Sequence, residues 1–246
     1  MGFSKSLLTN KKILITGAGK GIGRACAILA AQSGASVIAV SRTASDLDEL
    51  VSLYPLNIES WVADVNDVAF LKQLKSLTCL HGLINNAGIN RVAPMLEQTN
   101  DNIESVIDMN ITSVYKITQA ALPALLAANN ASIVNMSSQM AFVGSPGRTL
   151  YCTSKHAIEG LTKSLAVELA EKSVRVNTVA PTFVETPMTK PMLENPEFKK
   201  FVFDMIPMKK LASVDDVANS CVFLLSDLSQ MITGTSIKVD GGWTAR

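Results

Sequence analysis

The sequence predicts an α/β fold: one domain holding a doubly wound parallel sheet of seven strands, with helices on both faces. Three observations carry this. Short apolar runs recur along the whole chain with helical segments between them, several runs are apolar on consecutive residues, and a glycine-rich turn directly follows the first run. Consecutive apolar residues suit strands covered on both faces, the condition inside a parallel sheet. Length agrees, since 246 residues, 48% hydrophobic and 17% charged, suffice for one large core spanning residues 1–246 without a second domain.

The expected strands are residues 13–16, 37–40, 60–63, 82–84, 133–136, 175–179 and 236–239. After the first comes Thr16-Gly17-Ala18-Gly19-Lys20-Gly21-Ile22-Gly23, a turn that opens the alanine-rich helix 24–33. Glycines there permit positive φ and let phosphates approach the backbone, while the helix start offers unpaired N–H groups and the positive end of its dipole. A pyrophosphate fits such a turn. Right-handed crossovers place a ligand crevice at the carboxyl ends of the strands. The glycine turn, Asp64-Val65, Asn86-Ala87-Gly88 and Ser138 each directly follow an apolar strand, so all four face that crevice. Long apolar helices are expected over 110–128 and 152–170. The stretch 182–211 differs in kind, being punctuated by Pro187, Pro191, Pro196 and Pro207 and supplied with Met188, Met192, Met205 and Met208. It reads as a substrate lid or as a surface helical excursion.

Tyr151-Cys152-Thr153-Ser154-Lys155 sets a phenol and an ammonium four residues apart, on one face of a helix. A free tyrosine holds its proton to about pH 10, and a fixed positive charge beside it favours the phenolate. Lys155 is the candidate for that charge.

Several motifs carry a family resemblance. Thr16-Gly17-x-x-x-Gly21-Ile22-Gly23, spaced differently from the commoner G-x-G-x-x-G, resembles the glycine motif of the short-chain dehydrogenase/reductase family. Leu83-Ile84-Asn85-Asn86-Ala87-Gly88 resembles its fourth-strand motif, Asn110 stands at its helix asparagine, and Ile133-Val134-Asn135-Met136-Ser137-Ser138 ends in its serine. Tyr151 and Lys155 follow in register. Pro181-Thr182-Phe183-Val184-Glu185-Thr186 resembles the loop over nicotinamide, with Thr182 where many members have glycine, and Val239-Asp240-Gly241-Gly242 resembles the final strand ending. The resemblance spans nearly the whole chain and implies a single-domain Rossmann fold. It implies a catalytic set of Asn110, Ser138, Tyr151 and Lys155: Tyr151 as proton donor, Ser138 as a second donor to the reacting oxygen, Lys155 on the nicotinamide ribose, and Asn110 supporting a helix distortion and a water path to the lysine. It implies cofactor contacts at Gly17, Lys20, Gly21, Ile22, Gly23, Ser41, Arg42, Asp64, Val65, Asn86, Ala87, Gly88, Tyr151, Lys155, Val184 and Thr186.

Charge points to NADP as the cofactor. An acid at the end of the second strand suits the 2′-hydroxyl of NAD, whereas a 2′-phosphate needs a cation. Here Val40 is followed by Ser41-Arg42-Thr43, the first acid is Asp46, and Lys20 adds a second cation. Within the family the chain resembles the tetrameric carbonyl reductase and L-xylulose reductase group, with Gln139 as in the xylulose-reducing members. Asn86-Ala87-Gly88-Ile89-Asn90-Arg91 resembles bacterial gluconate dehydrogenases equally. The expected substrate is therefore a small carbonyl compound: a ketose, dicarbonyl or keto sugar acid, or the corresponding alcohol. Gln139, Arg91 and Arg148 are candidate substrate residues, and each arginine either meets a carboxylate or is simply solvated. A 3-oxoacyl-carrier-protein reductase is the alternative enzyme. It would need cations for its acidic partner, and residues 125–132 carry none. An NADP-binding sensor or scaffold is the alternative without turnover, against which the complete catalytic set argues.

Net charge is +1 with mixed signs, so the composition proposes no nucleic-acid partner. Cys26, Cys79, Cys152 and Cys221 lack C-x-x-C spacing, and His81 and His156 are too few to complete a zinc site with them, so no metal is expected. The richest apolar stretch, 117–128, is broken by Gln119 and Pro123 and reads as a core helix, with no membrane partner implied. Met1-Gly2-Phe3-Ser4-Lys5-Ser6 fits a loose myristoylation pattern without a second anchor, which leaves a cytoplasmic homotetramer as the expectation.

Overall fold

The computed structural model describes residues 4–245, so residues 1–3 of the acylation-like start lie outside them. Strands and helices alternate: β1 (Lys12–Thr16), α1 (Gly21–Gln32), β2 (Ser36–Ser41), α2 (Ala44–Leu53), β3 (Ile58–Val62), α3 (Val68–Lys75), β4 (Gly82–Asn85), α4 (Asn100–Ile107), α5 (Ser113–Leu126), β5 (Ala131–Met136), α6 (Thr149–Leu169), β6 (Val174–Pro181), α7 (Lys190–Leu193), α8 (Pro196–Met205), α9 (Val214–Leu225) and β7 (Ser236–Val239). The strands form one parallel sheet in the order β3-β2-β1-β4-β5-β6-β7. The order reverses between β1 and β4, which places the ligand crevice at their carboxyl ends.

Strand residues alternate between two cores. Ile13, Ile15, Val37, Ala39, Ile84 and Val134 pack against α1, α2 and α9 through Cys26, Ala30, Leu47, Leu50, Val217 and Cys221. Leu14, Ile38, Val40, Leu83, Ile133 and Val176 face the opposite layer, where Phe70 of α3, Ile117 and Ala121 of α5, and Ala166 and Leu169 of α6 cover them. Both sets must be apolar, which is why the strands read as continuous apolar runs.

Several boundaries differ from the sequence reading, and three of the differences have a clear physical reason. β3 is an edge strand that starts at Ile58 opposite Val37, and only Ile58 and Trp61 of it are buried, so no apolar run marks its start. β6 is buried over all eight residues and continues to Pro181, which pairs with Val239. The helix expected over 110–128 begins with one wide π turn, Asp108–Thr112, that joins α4 to α5.

The stretch after β6 carries α7 and α8. Asn195 caps α8 by accepting from the Phe198 N–H at 3.0 Å, with Pro196 at the first helical position. A third apolar cluster lies beneath it: Phe183, Val202, Ile206 and Trp243 meet Met140 and Cys152. No helix among the described residues is long and apolar enough to cross a membrane.

Candidate active site

The glycine turn after β1 forms the first wall. Gly17 and Gly21 hold φ of +66° and +56°, and a Cβ on Gly23 would sit 2.2 Å from the Gly17 carbonyl oxygen, so this backbone is bare to the cleft and closely packed behind. Thr16 locks the turn to the end of β4: its hydroxyl oxygen accepts the N–H groups of Asn86 and Ala87 at 3.0 and 3.1 Å. Asn86 returns its side-chain amide to the Thr16 carbonyl at 3.0 Å. Two adjoining cavities run along this wall. One, of about 280 Å³, is lined by Gly17, Lys20, Gly21, Ile22, Asn86, Ala87, Gly88, Ser138, Tyr151, Lys155, Val184 and Thr186. The other, of about 390 Å³, is lined by Ser41, Arg42, Asp46, Asp64 and Val65, and shares Gly17, Lys20, Ala87 and Gly88 with the first.

A dinucleotide fits this double cavity: bare glycine backbone lies at its centre, with cations at one end and the tyrosine and serine at the other. Of the predicted cofactor residues, Gly23 alone lies behind the wall, and its role is packing against Gly17. Neither cation is free. Lys20 lies 3.5 Å from Asp46 and Arg42 lies 3.6 Å from Asp64, and both cationic side chains are about two-thirds exposed, at 63% and 69%.

At the other end, α6 brings Tyr151 and Lys155 to the cavity. Lys155 is buried and donates from Nζ to the Met136 carbonyl at 2.8 Å. Burial pulls its pKa down to about 8, and the charge of buried Glu159 opposes that. The Tyr151 phenol is pushed up by burial, while a hydrogen bond with Ser138 and the positive charge of Arg148 draw it back. The sequence reading made Lys155 the perturbing charge. In the structure the charge acting on the phenol is Arg148, because Lys155 turns its ammonium to a backbone carbonyl and lies 5.6 Å from the centre of the Tyr151 ring.

Ser138 lies two residues past the end of β5 and accepts the Met140 N–H at 3.2 Å, which fixes its hydroxyl at the cavity. Asn110, in the π turn, does not reach either cavity. It binds Ile89 through both ends of its amide and donates to Ser154 Oγ at 3.1 Å, beside Lys155.

The three candidate substrate residues separate. Gln139 and Arg148 are buried and line a small cavity of about 60 Å³ that also touches Ser138 and Tyr151. Arg91 is exposed, its guanidinium 3.4 Å from the carbonyl of neighbouring Asn90. The same small cavity is also lined by Asn90, which sequence reasoning did not place at the site, and by Met188, Thr189 and Met192, of which the two methionines were named only as part of the candidate lid. The prolines and methionines of 182–211 were the signal for the last three. The Thr189 hydroxyl donates to the Val184 carbonyl and closes a local turn in that segment. Among the described residues no three metal-ligating side chains cluster.

Fold and site together define a Rossmann-fold protein with a tyrosine, a serine and a buried lysine gathered beside a glycine cradle. A family model described as enoyl-(acyl carrier protein) reductase matches residues 17–244. L-xylulose reductase from Mus musculus is 38% identical over 240 residues, 97% of this chain and 98% of that protein. A 3-oxoacyl-(acyl-carrier-protein) reductase from Thermotoga maritima is 38% identical over 243 residues, 96% of this chain and 98% of that one. Among solved structures, a candidate NAD(P)-dependent gluconate 5-dehydrogenase from Beutenbergia cavernae with bound NADP superimposes with a TM-score of 0.93 at 33% identity, covering 99% of this chain and 100% of that one. The chain belongs to the short-chain dehydrogenase/reductase family of oxidoreductases.

Proposed function

We propose that this enzyme interconverts a small polar carbonyl compound and its alcohol with NADP(H). One observation carries the reading: Ser138, Tyr151 and Lys155 share a single cavity wall, continuous with the glycine cradle. When bound, the nicotinamide supplies or accepts the hydride. The protein must then supply a proton to the carbonyl oxygen and stabilise its developing charge. Tyr151 Oη gives that proton, and Ser138 Oγ donates a hydrogen bond to the same oxygen and holds the carbonyl in line. Lys155 positions the ribose end of the cofactor, and Asn110 holds Lys155's surroundings through Ser154 and Ile89. Arg42 and Lys20 take the 2′-phosphate in exchange for their loose contacts with Asp64 and Asp46. NADP in the Beutenbergia cavernae relative supports this choice.

The chain is read as one domain, residues 1–246, with 182–211 as the substrate lid. Thr186 supports this by lying against Gly21, within 3.4 Å of where its Cβ would be. A ketose, dicarbonyl or keto sugar acid suits the small cavity, where Asn90, Gln139, Arg148 and Thr182 offer polar groups, and the xylulose and gluconate relatives point the same way. Exposed Ile107, Tyr115 and Val167 on α4, α5 and α6 support a homotetramer, and the family resemblance supports a cytoplasmic location. The second reading, reduction of a carrier-bound 3-oxoacyl chain, is favoured by the Thermotoga maritima relative. Loss of NADPH absorbance with diacetyl, xylulose, 5-ketogluconate and an acetoacetyl thioester on carrier protein separates the two. Turnover preferring the carrier-bound thioester by about a hundredfold would reverse the choice.

A further inference from the structure

Arg148 is a buried charge whose position bears on the Tyr151 phenol, but neither the proton nor the hydride step gives its guanidinium donors an acceptor. It stands at the start of α6, one turn before Tyr151, and is 5% exposed. Among the described residues no carboxylate lies within ion-pair distance of it. Its guanidinium reaches Met192 Sδ at 3.3 Å, a weak acceptor, and lies over the rings of Phe183 and Phe198 at 5.6 and 5.8 Å from their centres. Aromatic faces return part of the lost hydration of a cation, but they satisfy none of its five N–H donors with an oxygen. A buried guanidinium in that condition is costly to the free protein and is matched by an incoming anion.

Other unmet polar atoms surround the same small cavity. Asn90 Oδ1, both amide atoms of Gln139 and Thr182 Oγ1 are buried without a partner, and all three residues line it together with Arg148, Ser138 and Tyr151. Its volume of about 60 Å³ has room for the carboxylate end of a small molecule, and it shares Ser138, Tyr151 and Thr182 with the larger cavity of about 280 Å³ beside it. One planar fork matches one carboxylate, whereas a phosphate ester would set nearly two negative charges against a single cation. Arg148 and Tyr151 are neighbours across one helical turn, so a molecule holding both spans only a few bonds between its charge and its reacting carbon.

We propose that Arg148 binds the carboxylate of the substrate, so that the site selects a short polyhydroxylated oxo acid and its hydroxy-acid product over uncharged ketoses and polyols. Gln139, Asn90 and Thr182 take the hydroxyl groups. The inference rests on the oxidoreductase reading of this site and narrows its substrate to an anion.

Isothermal titration of the NADP-loaded enzyme with D-gluconate and with D-glucitol, an uncharged polyol of the same length, reads the charge directly. Gluconate is expected to bind about 30-fold tighter or more, Arg148→Met to bring the ratio to about one, and Arg148→Lys, which keeps the charge without the fork, to lower it by roughly tenfold. Gluconate binding no better than glucitol, including no binding of either, overturns the proposal, as does a preference that survives Arg148→Met. If thermal melting shows that the methionine variant is unfolded, the lysine variant decides: an unchanged ratio overturns the proposal and a reduced one supports it. Failure of the oxidoreductase reading looks different: no carbonyl probe consumes NADPH, while gluconate still binds in an arginine-dependent way.

Discussion

Asn110 closes a two-bond ring with the backbone of Ile89: the Ile89 N–H donates to Oδ1 and Nδ2 donates to the Ile89 carbonyl, both at 2.9 Å. With the further bond to Ser154 Oγ, this one side chain ties the strand-end loop after β4 to α6 through the π turn. Asn110→Ala leaves buried partners unpaired, and a stability loss of about 2–3 kcal/mol is expected in urea unfolding. A loss below about 0.5 kcal/mol would show that the ring is incidental.

Lys155 makes stability depend on alkaline pH. Its folded pKa of about 8 lies below the ordinary 10.5, so between those values the unfolded chain binds more protons on this group and stability rises with pH. The penalty is full below about pH 8 and is relieved as pH climbs toward 10.5. Unfolding free energies of wild type should therefore gain on the order of 2–3 kcal/mol relative to Lys155→Met across that window. Parallel pH profiles for the two proteins would contradict it.

Cofactor choice is expected to turn on Arg42 and Lys20. Fluorescence titration should find NADPH bound at least roughly tenfold tighter than NADH, with the preference lost or reversed in Arg42→Asp. Asp64, 3.6 Å from Arg42, would be left facing the new aspartate, so NADPH should suffer more than NADH. Equal affinities in wild type would show that neither cation reads the phosphate.

The exposed apolar side chains of α4, α5 and α6 predict association. Light scattering at micromolar concentration should return a tetramer mass, and Val167→Lys, at a position 82% exposed in the single chain, should lower it. A monomer mass for wild type would remove the argument.

Much of this arrangement was legible because buried parallel strands leave an unmistakable trace: consecutive apolar residues ending in glycine, asparagine or serine at the crevice. β3 escaped at its start since an edge strand buries only Ile58 and Trp61. The partner of Lys155 was invisible because its acceptor is the backbone carbonyl of Met136, and a carbonyl has no letter. Arg148 could not be told from a solvated arginine, because the rings that cover it, Phe183 and Phe198, come from beyond β6 and are brought over it only by the fold. Gln139 carried a motif resemblance, while its burial with both amide atoms unmet is a property of the folded cavity.

The central claim is a hydride transferred to a carbonyl carbon with Tyr151 giving the proton. It is tested most directly with NADPH carrying deuterium at both hydrogen positions of the nicotinamide C4, presented with diacetyl, xylulose and 5-ketogluconate, and with mass analysis of the products. Deuterium at the carbinol carbon is predicted for wild type, with Tyr151→Phe still binding NADPH yet forming labelled alcohol at least about a hundredfold more slowly. Unlabelled products from every probe, or undiminished labelling by Tyr151→Phe, would contradict it.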